Sequence, residues 1–167
     1  MSRVARIHSC VLIDSRRTVW RLDLVILGIA SIVVILILCA PVLATNGHPA
    51  VATAIYAAFK PLCHQRADRS LFLEGLPMAV CSRCFGIYFG FWLGMLTLVL
   101  FTSPKYVSIS FQSLVMTMVP MTADALGGWA GLFTNTHLSR WTTGLIAGAG
   151  VAIFIFGLDL RRKPHDE

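Results

Sequence analysis

Hydrophobic and polar positions along this chain fall into long blocks with little alternation. Leu24 to Ala44 is 21 residues without a charge, enough at 1.5 Å per residue to cross a hydrocarbon core of ~30 Å as a helix. Phe85 to Thr102 and Trp141 to Leu158 are uncharged runs of 18 residues each. Val107 to Phe133 is a further apolar stretch, interrupted by Pro120 and Asp124. Ala50 to Phe59 is apolar but too brief to span, and reads as an interfacial or re-entrant helix. The pattern predicts an all-α, polytopic membrane protein with four transmembrane helices at about 24–44, 85–102, 107–133 and 141–158, plus a short interfacial helix. All of it belongs to one membrane domain covering residues 1–167. Ahead of the first span lies a basic leader, residues 1–23, with Val4, Ile7, Val11 and Leu12 at helical spacing, as in a helix lying on the cytoplasmic surface. Val42-Leu43-Ala44 resembles a signal-peptidase site, but the leader is long and the apolar run exceeds the 7–15 residues of a signal core, which favours an uncleaved anchor.

Composition makes the same point by exclusion. The chain is 56% hydrophobic and 13% charged, with a mean hydropathy of +0.74. A soluble domain carries roughly a quarter charged residues, so a water-soluble globule is excluded, and 167 residues leave room for a single domain. The net charge of +6 would raise nucleic-acid binding in a soluble protein. In an apolar chain it marks topology or contact with anionic lipid, and no nucleic-acid partner is expected. Nine of the 14 basic residues fall in the leader, in the connection holding Lys105 and in the tail holding Arg161, Arg162 and Lys163. The other five, Lys60, Arg66, Arg69, Arg83 and Arg140, fall on the opposite side. The positive-inside rule then puts both termini in the cytoplasm, residues 45–84 outside it, and the chain in the cell membrane as a multi-pass protein. Gly86, Gly90 and Gly94, Gly127 and Gly131, and Gly144 and Gly148 repeat at four-residue spacing. Such ridges let helices approach closely in lipid, either within one bundle or between two copies of the chain.

The chemistry concentrates in the extracytoplasmic segment. The pairs in Cys63-His64-Gln65 and Cys81-Ser82-Arg83-Cys84, Cys63 with His64 and Cys81 with Cys84, are separated by the 16 residues Gln65 to Val80, in which Gly75 and Pro77 favour a turn. Two ligand pairs joined by a loop of that size form the pattern of a zinc site. Cys63, His64, Cys81 and Cys84 are the candidate ligands, with thiolate donation holding a borderline-soft ion. Adjacent residues cannot easily both reach one ion, so either Cys63 or His64 is left over, and Asp124 is an alternative fourth ligand. The same cysteines also read as a redox pair. A C-x-x-C at a helix start beside Arg83 has a lowered thiol pKa, and an extracytoplasmic location tolerates disulfides. A small four-helix membrane protein with such a pair resembles the quinone-coupled thiol oxidases of the cell envelope. Those relay electrons through a second pair, whereas here only Cys63 remains on that side. Cys39 reads as a small buried hydrophobe and Cys10 as a reduced surface thiol.

Asp124 is the one charged residue deep in an apolar stretch. It needs a partner or a wet cavity, with Arg83 and Arg140 the candidate partners. It is a structural ion pair or, with Arg140, a catalytic residue. Arg69, Arg83 and Gln65 are candidate ligand-binding residues, because arginine forks hold phosphate and an outer-leaflet phospholipid or lipid-linked diphosphate would present its headgroup at this depth. Ordinary headgroup contact, or pairing with Asp68 and Glu74, is the plainer reading of these arginines. His8, His48, His137 and His165 lack paired spacing and read as loop or interfacial residues.

The segments "PLCHQRADRSLFLEG", "PMAVCSRCFGIYFGFWLG" and "NTHLSRWTTGLIAG", with Asp124 between the last two, resemble domain-of-unknown-function family 2085, a group of prokaryotic integral membrane proteins. The resemblance runs from about Tyr56 to Gly148. It picks out Cys63, His64 and Gln65, then Arg69 and Ser70, then Cys81, Arg83, Cys84, Gly86, Tyr88 and Gly90, and finally Asp124, Asn135, Arg140, Thr143 and Gly144. The family pattern has a Gln after the Asp, where this chain has Ala125-Leu126-Gly127-Gly128. The resemblance implies a site and leaves the reaction open. Three classes of function stand at this point: a zinc site that is either a structural staple or activates water against a lipid headgroup with Asp124 as base, a thiol oxidoreductase using Cys81 and Cys84, and a metal-free lipid- or partner-binding protein. Transport is a weaker option beside these three, because one buried carboxylate offers little of an ion pathway.

Overall fold

The computed structural model describes residues 3–101 and 111–161, with side chains from 22 to 100 and from 111 to 156. Five helices dominate: α1 (Arg3–Thr45), α2 (Pro49–Phe59), α3 (Ser82–Phe101), α4 (Phe111–Trp129) and α5 (His137–Arg161). The basic leader and the first apolar run form one continuous helix, α1, of 43 residues. The part of α1 suited to a membrane is Leu22–Thr45, which presents Leu24, Val25, Ile29, Ile32 and Ile35 outward. Among the described residues three helices are long and apolar enough to cross a membrane, the other two being Ser82–Leu100 of α3 and His137–Phe156 of α5. The apolar stretch expected at 107–133 is less uniform. Its helix, α4, covers 19 residues, contains Pro120, and is interrupted by Gln112, Thr117, Thr122 and Asp124. Residues 107–110, the connection holding Lys105 and the C-terminal Arg162 and Lys163 lie outside the described residues.

The α1–α2 corner is made by local chemistry. Gly47 takes φ +81°, and the His48 amide reaches back to the Leu43 carbonyl at 3.0 Å. This is a Schellman end, in which glycine occupies the left-handed position without steric cost. Pro49 then opens α2 with a φ already suited to a first helical turn. Ala52, Ile55 and Phe59 form the buried face of α2, against α1. Beyond α2 come one 3₁₀ turn at Ala67–Arg69 and a hairpin that the hydrophobic pattern did not disclose, β1 (Phe72–Leu73) paired with β2 (Leu76–Pro77). Its turn residues Glu74 and Gly75 both have positive φ, 54° and 78°, as a type I′ turn requires.

The bundle is built around α3. Helix α1 lies on one side of it, α5 packs along it most extensively, and α4 packs on α5. The glycine ridges of α3 and α5 face each other inside the chain. A Cβ on Gly90 would lie 2.2 Å from the Leu145 carbonyl oxygen, and one on Gly148 2.1 Å from that of Ile87. Without a hydrophobic force between helices in lipid, this close backbone approach is what holds the pair together. A Cβ on Gly28 of α1, in contrast, meets nothing within 4 Å. Gly90→Val is therefore expected to lower stability by about 1–3 kcal/mol or more, read as an unfolding midpoint in detergent, while Gly28→Val leaves that midpoint nearly unchanged. Equal effects at the two positions would contradict the packing described here. Helices α1 and α3 are also joined by the Trp92 indole N–H, which donates to Ser31 Oγ at 2.8 Å.

Candidate metal centre

Where α1, α2, the hairpin exit and α3 meet, Ile37, Ala40, Ile55, Phe59, Met78, Ala79, Val80 and Phe85 form one buried cluster, and Cys63 belongs to it. The chain leaves α2 in a tight turn, with the Cys63 amide donating to the Phe59 carbonyl at 3.0 Å, and this aims the Cys63 side chain inward. Cys81 immediately precedes α3 and acts as its N-cap, its carbonyl accepting from the Phe85 amide at 2.9 Å. Cys84, three residues on, lies on the same face of the first turn. The three sulfurs lie within 4.8 Å of one another. Cys81 Sγ is 3.4 Å from Cys84 Sγ, and the Cys81 amide donates to Cys63 Sγ at 3.2 Å. A tetrahedral zinc ion with Zn–S bonds of ~2.3 Å separates its sulfurs by about 3.8 Å, so small rotations of these side chains suffice to close on one ion. Cys81 is already poised as a ligand. The Cys84 thiol beside it, above all, holds its pKa down to about 5, with help from Cys63 and against the effect of burial.

The other expected site residues take varied positions. His64 is exposed and lies on the rim of a pocket of about 370 Å³ that Cys63, Cys81 and Cys84 also line. It is outside the three-sulfur group. Gln65, at φ 50°, donates both amide hydrogens to backbone carbonyls, of Tyr56 at 2.7 Å and Ala79 at 2.8 Å. It thereby clamps the end of α2 to the segment leading into Cys81. Arg69 lines the pocket and pairs with Asp68 at 3.6 Å, while Arg66 holds Asp68 through two hydrogen bonds of 3.1 Å. The Arg66 bonds hold the Asp68 carboxyl below the usual carboxylate range.

Arg83 and Asp124 are brought together. The Arg83 guanidinium donates to Asp124 Oδ2, Ser139 Oγ donates to Oδ1 at 2.7 Å, and the Asn135 amide donates to the Asp124 carbonyl at 2.6 Å. Residues from α3, α4 and the head of α5 thus close on one buried carboxylate. Arg140, in the first turn of α5, is half-buried and forms no salt bridge among the described residues.

Two residues of the site were not singled out by the sequence. Ser82 Oγ, fully buried, donates to the Arg69 carbonyl at 2.9 Å and lies 2.9 Å from His137 Nδ1. His137 therefore ties the start of α5 to the cysteine motif, although nothing in its spacing pointed there. The signal available was the polar run Thr134–Arg140, which heads the fourth apolar stretch and is too rich in hydrogen-bonding side chains for a simple loop.

The sequence model of the family described as a predicted membrane protein (DUF2085) matches residues 63–154, more than half of the chain. The chain belongs to this family. The matched span begins at Cys63 and takes in Cys81, Cys84, the Arg83–Asp124 pair and His137, while α1 and α2 lie before it. Two archaeal relatives are similar. The uncharacterised protein MJ1492 of Methanocaldococcus jannaschii is 35% identical over 106 residues, covering 63% of this chain and 68% of the relative. An uncharacterised protein of Methanothermobacter thermautotrophicus is 30% identical over 95 residues, covering 57% of this chain and 85% of the relative. No solved structure matches.

Proposed function

We propose that this DUF2085 protein is a multi-pass membrane metalloprotein that holds one thiophilic ion, zinc by the softness of its ligands, on its extracytoplasmic face. The observation that carries this reading is the convergence of Cys63, Cys81 and Cys84, from two segments of the chain, to within 4.8 Å in the lining of one pocket. In this reading α4 is the fourth span, both termini are cytoplasmic by the distribution of Lys and Arg, and the pocket faces the headgroups of the outer leaflet. The ion joins the Cys63 turn to the first turn of α3. Asp124 serves to pin α4 and α5 onto α3 through Arg83, and the arginines at the pocket favour an anionic headgroup as the neighbouring ligand.

The lowered pKa of Cys81 and its 3.4 Å approach to Cys84 also favour a second reading, a thiol oxidoreductase. Elemental analysis of protein purified in detergent without reductant or chelator separates the two. One zinc per chain is the expected result. No bound metal together with a Cys81–Cys84 disulfide would overturn the metal reading in favour of the redox one.

A further inference from the structure

The protein donors around the three sulfurs can be accounted for one by one. Asp124 is turned to Arg83 and Ser139, away from any role as a ligand. Gln65 is anchored through its amide nitrogen to the Tyr56 and Ala79 carbonyls, and its remaining amide oxygen is a hard donor, suited to Mg or Ca rather than to a thiolate-bound soft ion. His64 is exposed, whereas Cys63 beside it is buried. His64 lines the pocket beside the sulfurs but stands outside the group that lies within reach of one ion. Three thiolates therefore leave a four-coordinate ion one position short, and all three line the same pocket of about 370 Å³.

The pocket wall indicates what fills that position. Arg66 has Nε and Nη2 on Asp68, but Arg69 meets Asp68 through Nε alone, at 3.6 Å. The Arg69 backbone is fixed next to Cys81 by the buried Ser82 hydroxyl, and Arg69 lines the same pocket as the three cysteines. The three thiolates and Asp68 balance a divalent ion with Arg66 and Arg69, charge for charge. The N-terminus of α3 adds roughly half a positive charge, so this near-neutral pocket suits an anion of low charge.

We propose, resting on the metal reading above, that the centre keeps its fourth position open toward the pocket and takes there a singly charged oxyanion of the phosphate class, held by Arg69. Free phosphate monoanion and a lipid phosphodiester share this chemistry.

The test uses the full chain in a maltoside detergent, loaded with Co2+, whose visible bands report tetrahedral thiolate coordination and respond to the fourth ligand. Inorganic phosphate is titrated in one arm and phosphatidylglycerol in mixed micelles in the other. The expected result is a saturable band shift in at least one arm, weakened roughly tenfold or more in Arg69→Ala. A shift with phosphate alone identifies the free ion, and one with phosphatidylglycerol alone identifies the lipid. Tetrahedral thiolate bands that neither ligand moves would overturn the open position and leave the metal reading standing, and a change of those bands in His64→Ala would name the residue that closes it. Absence of any thiolate–cobalt spectrum would overturn both.

Discussion

Serine at Cys63, Cys81 or Cys84 is expected to reduce metal content from one ion per chain to a small fraction of that. Each change removes one of the three thiols that, among the described residues, lie close enough together to share the proposed ion. Losing a residue that merely orients a metal's ligands costs ~10–100-fold in metal affinity, and loss of a direct ligand must exceed that. Alkylation of the metal-free protein provides an independent reading. The thiolate is the nucleophile, so a thiol pKa lowered to about 5 keeps Cys81 reactive well into acid, and its reactivity is lost as pH falls through about 5. An ordinary thiol, with a pKa near 8.5, is only about 1% thiolate at pH 6.5. The gain in rate is smaller than the gain in thiolate, because nucleophilicity falls with pKa. The position of the profile is thus the informative quantity. A membrane-impermeant maleimide applied at about pH 6.5, where an ordinary thiol is mostly protonated, to intact cells stripped of metal with a chelator should label Cys81 from outside, and zinc added back should protect it. Labelling only after permeabilisation would reverse the proposed orientation. A profile centred near pH 8.5, the ordinary thiol value, would remove the case for a poised ligand.

Much of this arrangement was legible in the sequence because it depends on local pattern. The uncharged runs at 24–44, 85–102 and 141–158 fall within α1, α3 and α5, apart from Thr102, which lies outside the described residues, and Pro49–Phe59 matches the short apolar piece. The two cysteine motifs point to one another because the 16 residues between them form a returning loop. What could not be read is long-range. The Arg83–Asp124 pair spans 41 positions and the Ser82–His137 contact 55. Arg140 and Arg83 were equivalent partners for Asp124 by sequence alone, and in the fold it is Arg83 of α3 that reaches the carboxylate. Gln65 offered a side chain suited to a ligand, but two backbone carbonyls, in α2 and just before Cys81, claim it first. The hairpin at 72–77 was hidden because its strands are two residues each, too short to show an alternating pattern.

Removing either member of the Arg83–Asp124 pair is expected to be the most damaging change outside the cysteines. Asp124 has 7% of its side chain exposed and Arg83 26%. Breaking a buried ion pair by truncating one partner costs about 3–5 kcal/mol, because the remaining charge stays buried and unpaired. A typical domain has only ~5–15 kcal/mol of total stability. In Arg83→Ala the carboxylate loses its cation and keeps neutral donors such as the Ser139 hydroxyl, and in Asp124→Ala the guanidinium loses its carboxylate acceptor. Replacing both together, as Arg83→Leu with Asp124→Leu, removes the unpaired charge and should recover most of the loss. Unfolding midpoints of the two single variants and the double in detergent measure the coupling directly. The position of Arg83 between Cys81 and Cys84 adds a second consequence. The pair steadies the first turn of α3, so each single variant should also weaken metal binding while the double variant restores it. Single variants that unfold like the wild type would show that the carboxylate is solvated, and would return Asp124 to consideration as a ligand or base.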